Sequence, residues 1–288
     1  MANITFQECK EREFALNAIG QGLGIEFEAC EVYKPAGLHT GIRVKRTGAN
    51  IAPVIYVDED FLACDDSELV EKLLDRVEST EQGYGDELLN ELVITQEYIY
   101  NNVIICLAPV TEKTLDWFRY NNIFADDTTV DENLKWYYRV LVGEQGSFVL
   151  TYDHIESMEL DYRDLMNHAL KNTVANVTIR TMREVLAGFL GEIPEEMIPD
   201  NDIYIVSNKQ GIYGATLDHV IYKRIGKCYI IPSSIHECLA VPKNFNTDMS
   251  PEDIKEMVAN VNDTQVSEAE RLSYSVYEFD GTSVFKVA

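Results

Sequence analysis

A chain of 288 residues, 46% hydrophobic and 10% aromatic, carries enough apolar side chain for one large or two modest cores, which excludes a disordered protein. Its 49 acidic residues against 24 basic ones give a formal net charge of -25, which excludes direct binding to nucleic-acid phosphates. The opening MANITFQECKERE has no basic region followed by an apolar core, and no apolar run approaches the ~20 residues of a bilayer span, so neither a signal peptide nor a membrane association is expected.

In chain order, Phe14, Ala15, Ala18 and Ile19 recur at helical spacing, which predicts an amphipathic helix from Phe6 to about Ile19, ended by Gly20, Gly22 and Gly24. Ile25–Tyr33, Gly41–Lys45 and Ile51–Val57 read as strands of an antiparallel meander, with turns at 35–37 and 47–50. From Asp58 to Glu87 there are twelve carboxylates and two basic residues. This acidic stretch still predicts a helix, with Ser67 as N-cap, Leu69, Val70, Leu73, Leu74 and Val77 as the apolar stripe, and Glu68, Glu71, Asp75 and Glu78 on the wet face.

The run Val103–Val110 suits a buried strand, and Thr111 caps a short helix through Trp117, Phe118 and Tyr120. Leu134–Val142 and Ser147–Tyr152 form a hairpin around 143–146. Asp161 opens one helix, and a second runs from about Arg180 to Leu190. The acidic segment 191–202 is the candidate boundary between an N-terminal region, 1–190, and a C-terminal region, 203–288. Beyond it come strand Ile203–Ser207, a turn at 208–214, helix Ala215–Ile225, and strands Cys228–Ile231 and Ile235–Val241. Ser250-Pro-Glu-Asp253 starts a helix, and Ser273–Phe279 with Ser283–Val287 closes the chain as a hairpin around Asp280-Gly281. These elements predict the α+β class, with antiparallel sheets and helices packed on their faces.

Two runs, Ile203-Tyr-Ile-Val-Ser-Asn-Lys209 to Ile212-Tyr-Gly-Ala215, and Cys228-Tyr-Ile-Ile-Pro-Ser-Ser-Ile-His-Glu237, resemble a bacterial family, domain of unknown function 5688. Pro53-Val-Ile-Tyr-Val57, Asn172-Thr173, Met182-Arg-Glu-Val-Leu186 and Val261-Asn-Asp-Thr-Gln-Val266 match its other landmarks, while the linker from Ala215 to Cys228 is shorter than the family's. The resemblance implies an intracellular bacterial setting, in some relatives near mobile elements, and implies no chemistry.

Cysteines 9, 30, 64, 106, 228 and 238 share no spacing and lie in or beside apolar stretches, which fits free, buried thiols and a cytoplasmic location. The five histidines show no zinc spacing, and Asp58, Asp60, Asp65 and Asp66 fail the calcium-loop pattern because Ala63 stands where glycine is needed, so no metal and no cofactor are expected. Ile19-Gly-Gln-Gly-Leu-Gly24 follows a helix instead of opening one, so it reads as a helix terminus and not as a phosphate loop. The basic cluster Lys34, His39, Arg43, Lys45 and Arg46 is small enough to be answered by the chain's own acids.

The densest polar string is Pro232-Ser233-Ser234-Ile235-His236-Glu237. Were it extended, Ser234 and His236 would share a face and could cooperate as nucleophile and base. Asn208, Gly214, Ser233, Ser234, His236 and Glu237 are therefore the candidate binding residues, against a structural reading in which the hydroxyls cap a turn and His236 is a satisfied, half-buried side chain. Two functions are compatible with this. One is a non-enzymatic acidic interaction protein with a protein partner, including the narrower case of a nucleic-acid mimic that occupies a basic or nucleic-acid-binding protein. The other is a hydrolase or transferase built on 232–237, and a small-ligand sensor would need a pocket but no nucleophile.

Overall fold

The computed structural model describes residues 5–34, 37–48, 52–57, 63–81, 93–143, 146–190, 202–244 and 250–288. The chain is α+β, with antiparallel sheets and helices on their faces. It groups into two compact units, Met1–Ile94 with Gly143–Gly146, and Thr95–Val142 with Ser147–Ala288. The boundary expected at 191–202 falls in the stretch of the second unit and, apart from Asp202, lies outside the described residues.

In the first unit, helix α1 (Phe6–Gly20) starts with a capping box in which Thr5 and Glu8 answer each other's backbone N–H groups. It ends in a short 3₁₀ turn closed by Gly24 at φ 69°, a left-handed position that glycine takes without strain. Strands β1 (Ile25–Lys34), β2 (Gly37–Arg46) and β3 (Val54–Tyr56) make the expected meander in sequence order. Helix α2 (Asp66–Glu81) buries Leu69, Val70, Leu73 and Val77 against Cys9 and Leu16 of α1 and Phe27, Ile42 and Val44 of the sheet. Each fully buried aliphatic side chain contributes about 2 kcal/mol by leaving water. The helix begins two residues earlier than a Ser67 cap would place it, because an Asp65 carboxylate oxygen accepts from the N–H groups of Ser67 and Glu68.

The second unit opens with α3 (Gln96–Asn102), β4 (Val103–Pro109) and α4 (Glu112–Tyr120), the last capped by Thr111 as its sequence indicates. Strands β5 (Ala125–Asp131), β6 (Leu134–Val142) and β7 (Gly146–Val149) follow, and β6 pairs with β4, β5 and β7. Strand β5 is not foreseen by the sequence reading. After α5 (Tyr152–Ser157), Asp161 caps α6 (Tyr162–Asn176). The next segment corrects the expectation of a helix from Arg180: Val177–Thr181 is strand β8, and α7 (Met182–Leu190) starts after it. Its residues are Val-Thr-Ile-Arg-Thr, and β-branched side chains at four of the five positions favour the strand once β9 (Tyr204–Asn208) is there to pair.

A second correction concerns Ala215–Ile225. Only His219–Tyr222 is helical (α8), because Asp218 caps it from its N-terminal side and the N–H groups of Gly214 and Ala215 are bonded to the His236 and Ile235 carbonyls of the neighbouring loop. Strands β10 (Cys228–Ile231) and β11 (Cys238–Pro242), helix α9 (Pro251–Gln265) with its Ser250–Asp253 capping box, and β12 (Tyr277–Phe279) and β13 (Val284–Lys286) complete the chain. The six-stranded sheet runs β13-β12-β10-β11-β9-β8, with antiparallel neighbours throughout. Successive residues of β10 face opposite cores: Ile230 packs with Val206, Tyr222, Tyr277 and Phe279, whereas Ile231 packs with Ile254 and Val258 of α9. Because β9 and β11 are antiparallel, with Val206 opposite Cys238, the loop leaving β9 and the loop entering β11 emerge at the same end of the sheet.

Candidate functional site

These two loops bring the candidate residues together. Asn208 ends β9 and turns its amide onto its own loop, Nδ2 donating to the Ile212 carbonyl at 2.6 Å while Oδ1 accepts from the Ile212 N–H at 3.2 Å. Tyr213 then adopts φ 52°, a left-handed backbone that a bulky side chain rarely takes. At Gly214 a Cβ would meet the Asn208 backbone nitrogen at 2.4 Å, Ser207 Oγ at 2.7 Å and the His236 carbonyl at 2.9 Å, so only glycine fits. The Gly214 N–H and Ser207 Oγ both donate to the His236 carbonyl, at 3.2 and 2.7 Å.

The 232–237 segment is a turn, not the extended run in which Ser234 and His236 would cooperate. Ser234 Oγ accepts from the N–H groups of His236 and Glu237, at 3.2 and 3.3 Å. Ser233 holds the turn through its backbone, donating to Ile231 and accepting from Leu272, each at 3.0 Å. Both serines are buried. The imidazole of His236 faces elsewhere: Nδ1 accepts from the Tyr213 N–H at 3.2 Å, and Nε2 lies 3.5 Å from Glu270 Oε1. Among the described residues, no hydrogen bond joins Ser234 Oγ to that ring. Of the candidate set, Asn208, Gly214 and His236 meet around Tyr213, whereas Ser233, Ser234 and Glu237 serve the neighbouring turn.

Sequence reasoning missed what lies behind Tyr213. Arg139 of β6 is buried and places its guanidinium 3.8 Å from the centre of the Tyr213 ring. Its Nε and Nη2 donate to Ser147 Oγ and to the Ser147 carbonyl, at 3.0 and 3.2 Å, and it also bonds the Tyr137 hydroxyl. Among the described residues no carboxylate pairs with it, and the recorded partners of this desolvated cation are neutral groups. The Cys106 thiol donates to the Tyr213 carbonyl at 3.5 Å, and burial pushes that thiol up to about 12. Between Thr173, Asn176, Ser207, Asn208 and Thr216 a cavity of about 10 Å³ has the size of one water. The available signal was Arg139 itself, a charge in the middle of the apolar run Trp136–Val142.

The acids divide by location. On the first unit's sheet Glu28 and Glu26 are answered across the strands, by Arg43 at 2.7 Å and by Lys45 at 3.7 Å, while Lys34 sits over the Tyr56 ring. Arg43 and Lys45 thus show the self-pairing expected of the basic cluster, whereas Lys34 and His39 meet the Tyr56 ring. On α2, Glu68, Glu71, Asp75 and Glu78 are exposed in one row spanning about 15 Å. Lys72 pairs with Glu68 at 3.0 Å. Glu71, Asp75 and Glu78 make no ion pair with a described residue.

The remaining histidines have local neighbours: His39 meets Tyr56 edge-on, His168 stacks on Tyr100, and His154 completes a capping box with Thr151. Burial lowers the His154 pKa below its usual value, which keeps the ring neutral and able to accept from the Thr151 N–H. Five of the six cysteines are buried and all are free. Among the described residues, no group of three or more His, Cys, Asp or Glu is placed to hold a metal ion, and no helix is long and apolar enough to cross a membrane. Asp58 and Asp60 lie outside the described residues.

The profile of a family described as of unknown function, DUF5688, matches residues 15–281. No curated protein and no solved structure matches the chain.

Proposed function

The chain belongs to the DUF5688 family, and we propose from its own surface and site that it is a non-enzymatic, cytoplasmic interaction protein whose acidic face engages a basic protein partner. The observation that carries this reading is the α2 row, in which Glu71, Asp75 and Glu78 stand exposed without an ion pair to a described residue, while Glu28 and Glu26 of the adjacent sheet pair with Arg43 and Lys45. A row of like charge repels itself, and a basic partner relieves that repulsion and speeds encounter. Its spacing of about 5 Å per charge is of the same order as the ~3.4 Å of one DNA strand. This supports the narrower form of the reading, a nucleic-acid mimic that occupies a protein's phosphate-binding surface. The hydrolase alternative is disfavoured by Ser234, whose oxygen is turned to two backbone N–H groups.

The test is capture from cell extract by the immobilised chain, alone and with duplex DNA as competitor, beside a variant carrying Glu68→Gln, Glu71→Gln, Asp75→Asn and Glu78→Gln. Binding of basic proteins that falls with salt, yields to DNA and is lost in the variant supports the proposal. Identical capture by the two proteins refutes it.

A further inference from the structure

Tyr213 is held against its own conformational preference by contacts on three sides. Its N–H donates to His236 Nδ1 at 3.2 Å, its carbonyl accepts from the Cys106 thiol, and its ring lies over the Arg139 guanidinium at 3.8 Å. Its φ of 52° is one that a tyrosine adopts only where its surroundings impose it. The first of these contacts has a chemical condition attached. An imidazole nitrogen accepts a hydrogen bond only while it carries no proton, so the Tyr213 N–H requires Nδ1 bare and the proton of the neutral ring on Nε2, which lies 3.5 Å from Glu270 Oε1.

We propose that His236 is a pH-sensitive latch: in its neutral form it holds Tyr213 closed over the buried Arg139, and protonation at Nδ1 releases Tyr213 and opens the 208–216 loop. When the proton is added, Nδ1–H and the Tyr213 N–H become two donors aimed at each other, and the contact turns from attractive to repulsive. The loop can yield at this point, because Gly211 lies just ahead of Tyr213 at φ 70° with open space around it, whereas Gly214 behind is clamped by three close atoms. His236 is about a third exposed, so a proton reaches it from solvent.

The charged and titratable groups around the ring set the balance. Glu270, on the segment following α9, faces Nε2 at 3.5 Å. Glu237 is adjacent in the chain. Arg271 directs its guanidinium to Asp263, Tyr274 and the Val266 carbonyl. From β6, Arg139 stands behind the Tyr213 ring and opposes a second cation, and from β4 the Cys106 thiol stays protonated, with burial raising it to about 12. Opening uncovers Arg139, a cation that no described carboxylate pairs with, so the acid form presents a guanidinium that the neutral form hides.

The test uses the full chain and nitrogen NMR of His236 together with the Tyr213 amide from about pH 8 to about pH 5, the range in which histidine changes charge. The expected result is an unprotonated Nδ1 at the alkaline end and a Tyr213 amide signal that titrates with the same midpoint as the ring, with amide protection in 209–216 falling at least about tenfold at the acid end. His236→Gln keeps a side-chain carbonyl that can accept from the N–H without titrating, and it makes the Tyr213 signal independent of pH. An Nδ1 that already carries its proton at pH 8, or a Tyr213 amide that ignores the titration of His236 in the unaltered chain, overturns the proposal.

Discussion

The acidic helix α2 and the loop pair at the end of the six-stranded sheet put polar side chains to opposite uses. On α2 the carboxylates Glu71, Asp75 and Glu78 face water without a described ion partner. At the loop pair, Asn208, Ser207 and Ser234 spend their side-chain polar atoms, and His236 its Nδ1, on backbone groups of the same two loops. The contrast teaches that density of reactive residue types is a poor guide to chemistry. The string with two serines, a histidine and a glutamate has its hydroxyl and imidazole engaged by the fold, whereas a plain amphipathic helix leaves its charge available. Substitution should therefore cost stability in the second region and surface behaviour in the first.

The sharpest break of this comparison comes from glycine. Gly214→Ala forces a methyl against the Asn208 backbone nitrogen and is expected to cost about 3 kcal/mol, whereas Gly22, with nothing within 4 Å of an added Cβ, is expected to accept alanine with a change of about 0.5 kcal/mol or less. Urea midpoints of the two variants measure the difference, and equal midpoints would show that the loop junction is looser than described.

Arg139→Ala comes next. It removes a buried side chain and leaves the Tyr137 hydroxyl and Ser147 without their donor, at about 2–3 kcal/mol. Ser234→Ala deprives two N–H groups of one acceptor, for about 1 kcal/mol. By contrast, each single neutralisation on the α2 row is expected to stay within about 0.5 kcal/mol. A thermal scan of the whole series orders them, and an α2 variant as damaging as Arg139→Ala would merge the two regions into one structural class.

Two chemical probes sharpen the same comparison at lower amplitude. Ellman's reagent on the native chain near pH 8 is expected to react rapidly with Cys64 alone, because the other five thiols are buried and Cys106, Cys228 and Cys238 are held at about 12 by desolvation. The pH dependence of stability follows from groups whose folded pKa is lowered. His154 is lowered by burial, so the unfolded chain takes up its proton first and stability declines as pH falls below 6.5. The capping carboxylates Glu8, Glu184 and Asp253, lowered by hydrogen bonds to Thr5, Thr181 and Ser250, add a further decline below their ordinary values of 4.5 and 3.8. Urea midpoints from pH 8 to pH 3 check the sign, and a rise on acidification would mean that relief of carboxylate repulsion outweighs these local bonds.

Much of the fold was legible because local signals agreed with the tertiary result. Thr111, Asp161 and Ser250 cap helices where their residue types place them, and the apolar stripe of α2 is the buried one. Strand β8 was hidden because no turn residue separates it from the helices on either side, and only pairing with β9 decides its state. The false helix over 215–218 arose from apolar residues that are buried but bonded to the neighbouring loop, as Ala215 is to Ile235. In the candidate site, the convergence of Asn208, Gly214 and His236 was legible as a composition of loops. The roles of Arg139 and Cys106 were not, because their contacts with Tyr213 are made across strands far apart in the chain, and sequence spacing carries no record of such pairs.

The measurement that bears most directly on the division between an available acidic face and an occupied polar turn is a side-by-side capture experiment with three proteins: the unaltered chain, the fourfold α2 neutralisation, and Ser234→Ala. The account predicts that basic proteins are retained by the first and third and lost by the second. Retention by the α2 variant with loss in Ser234→Ala would contradict it, and would return the functional surface to the turn at 232–237.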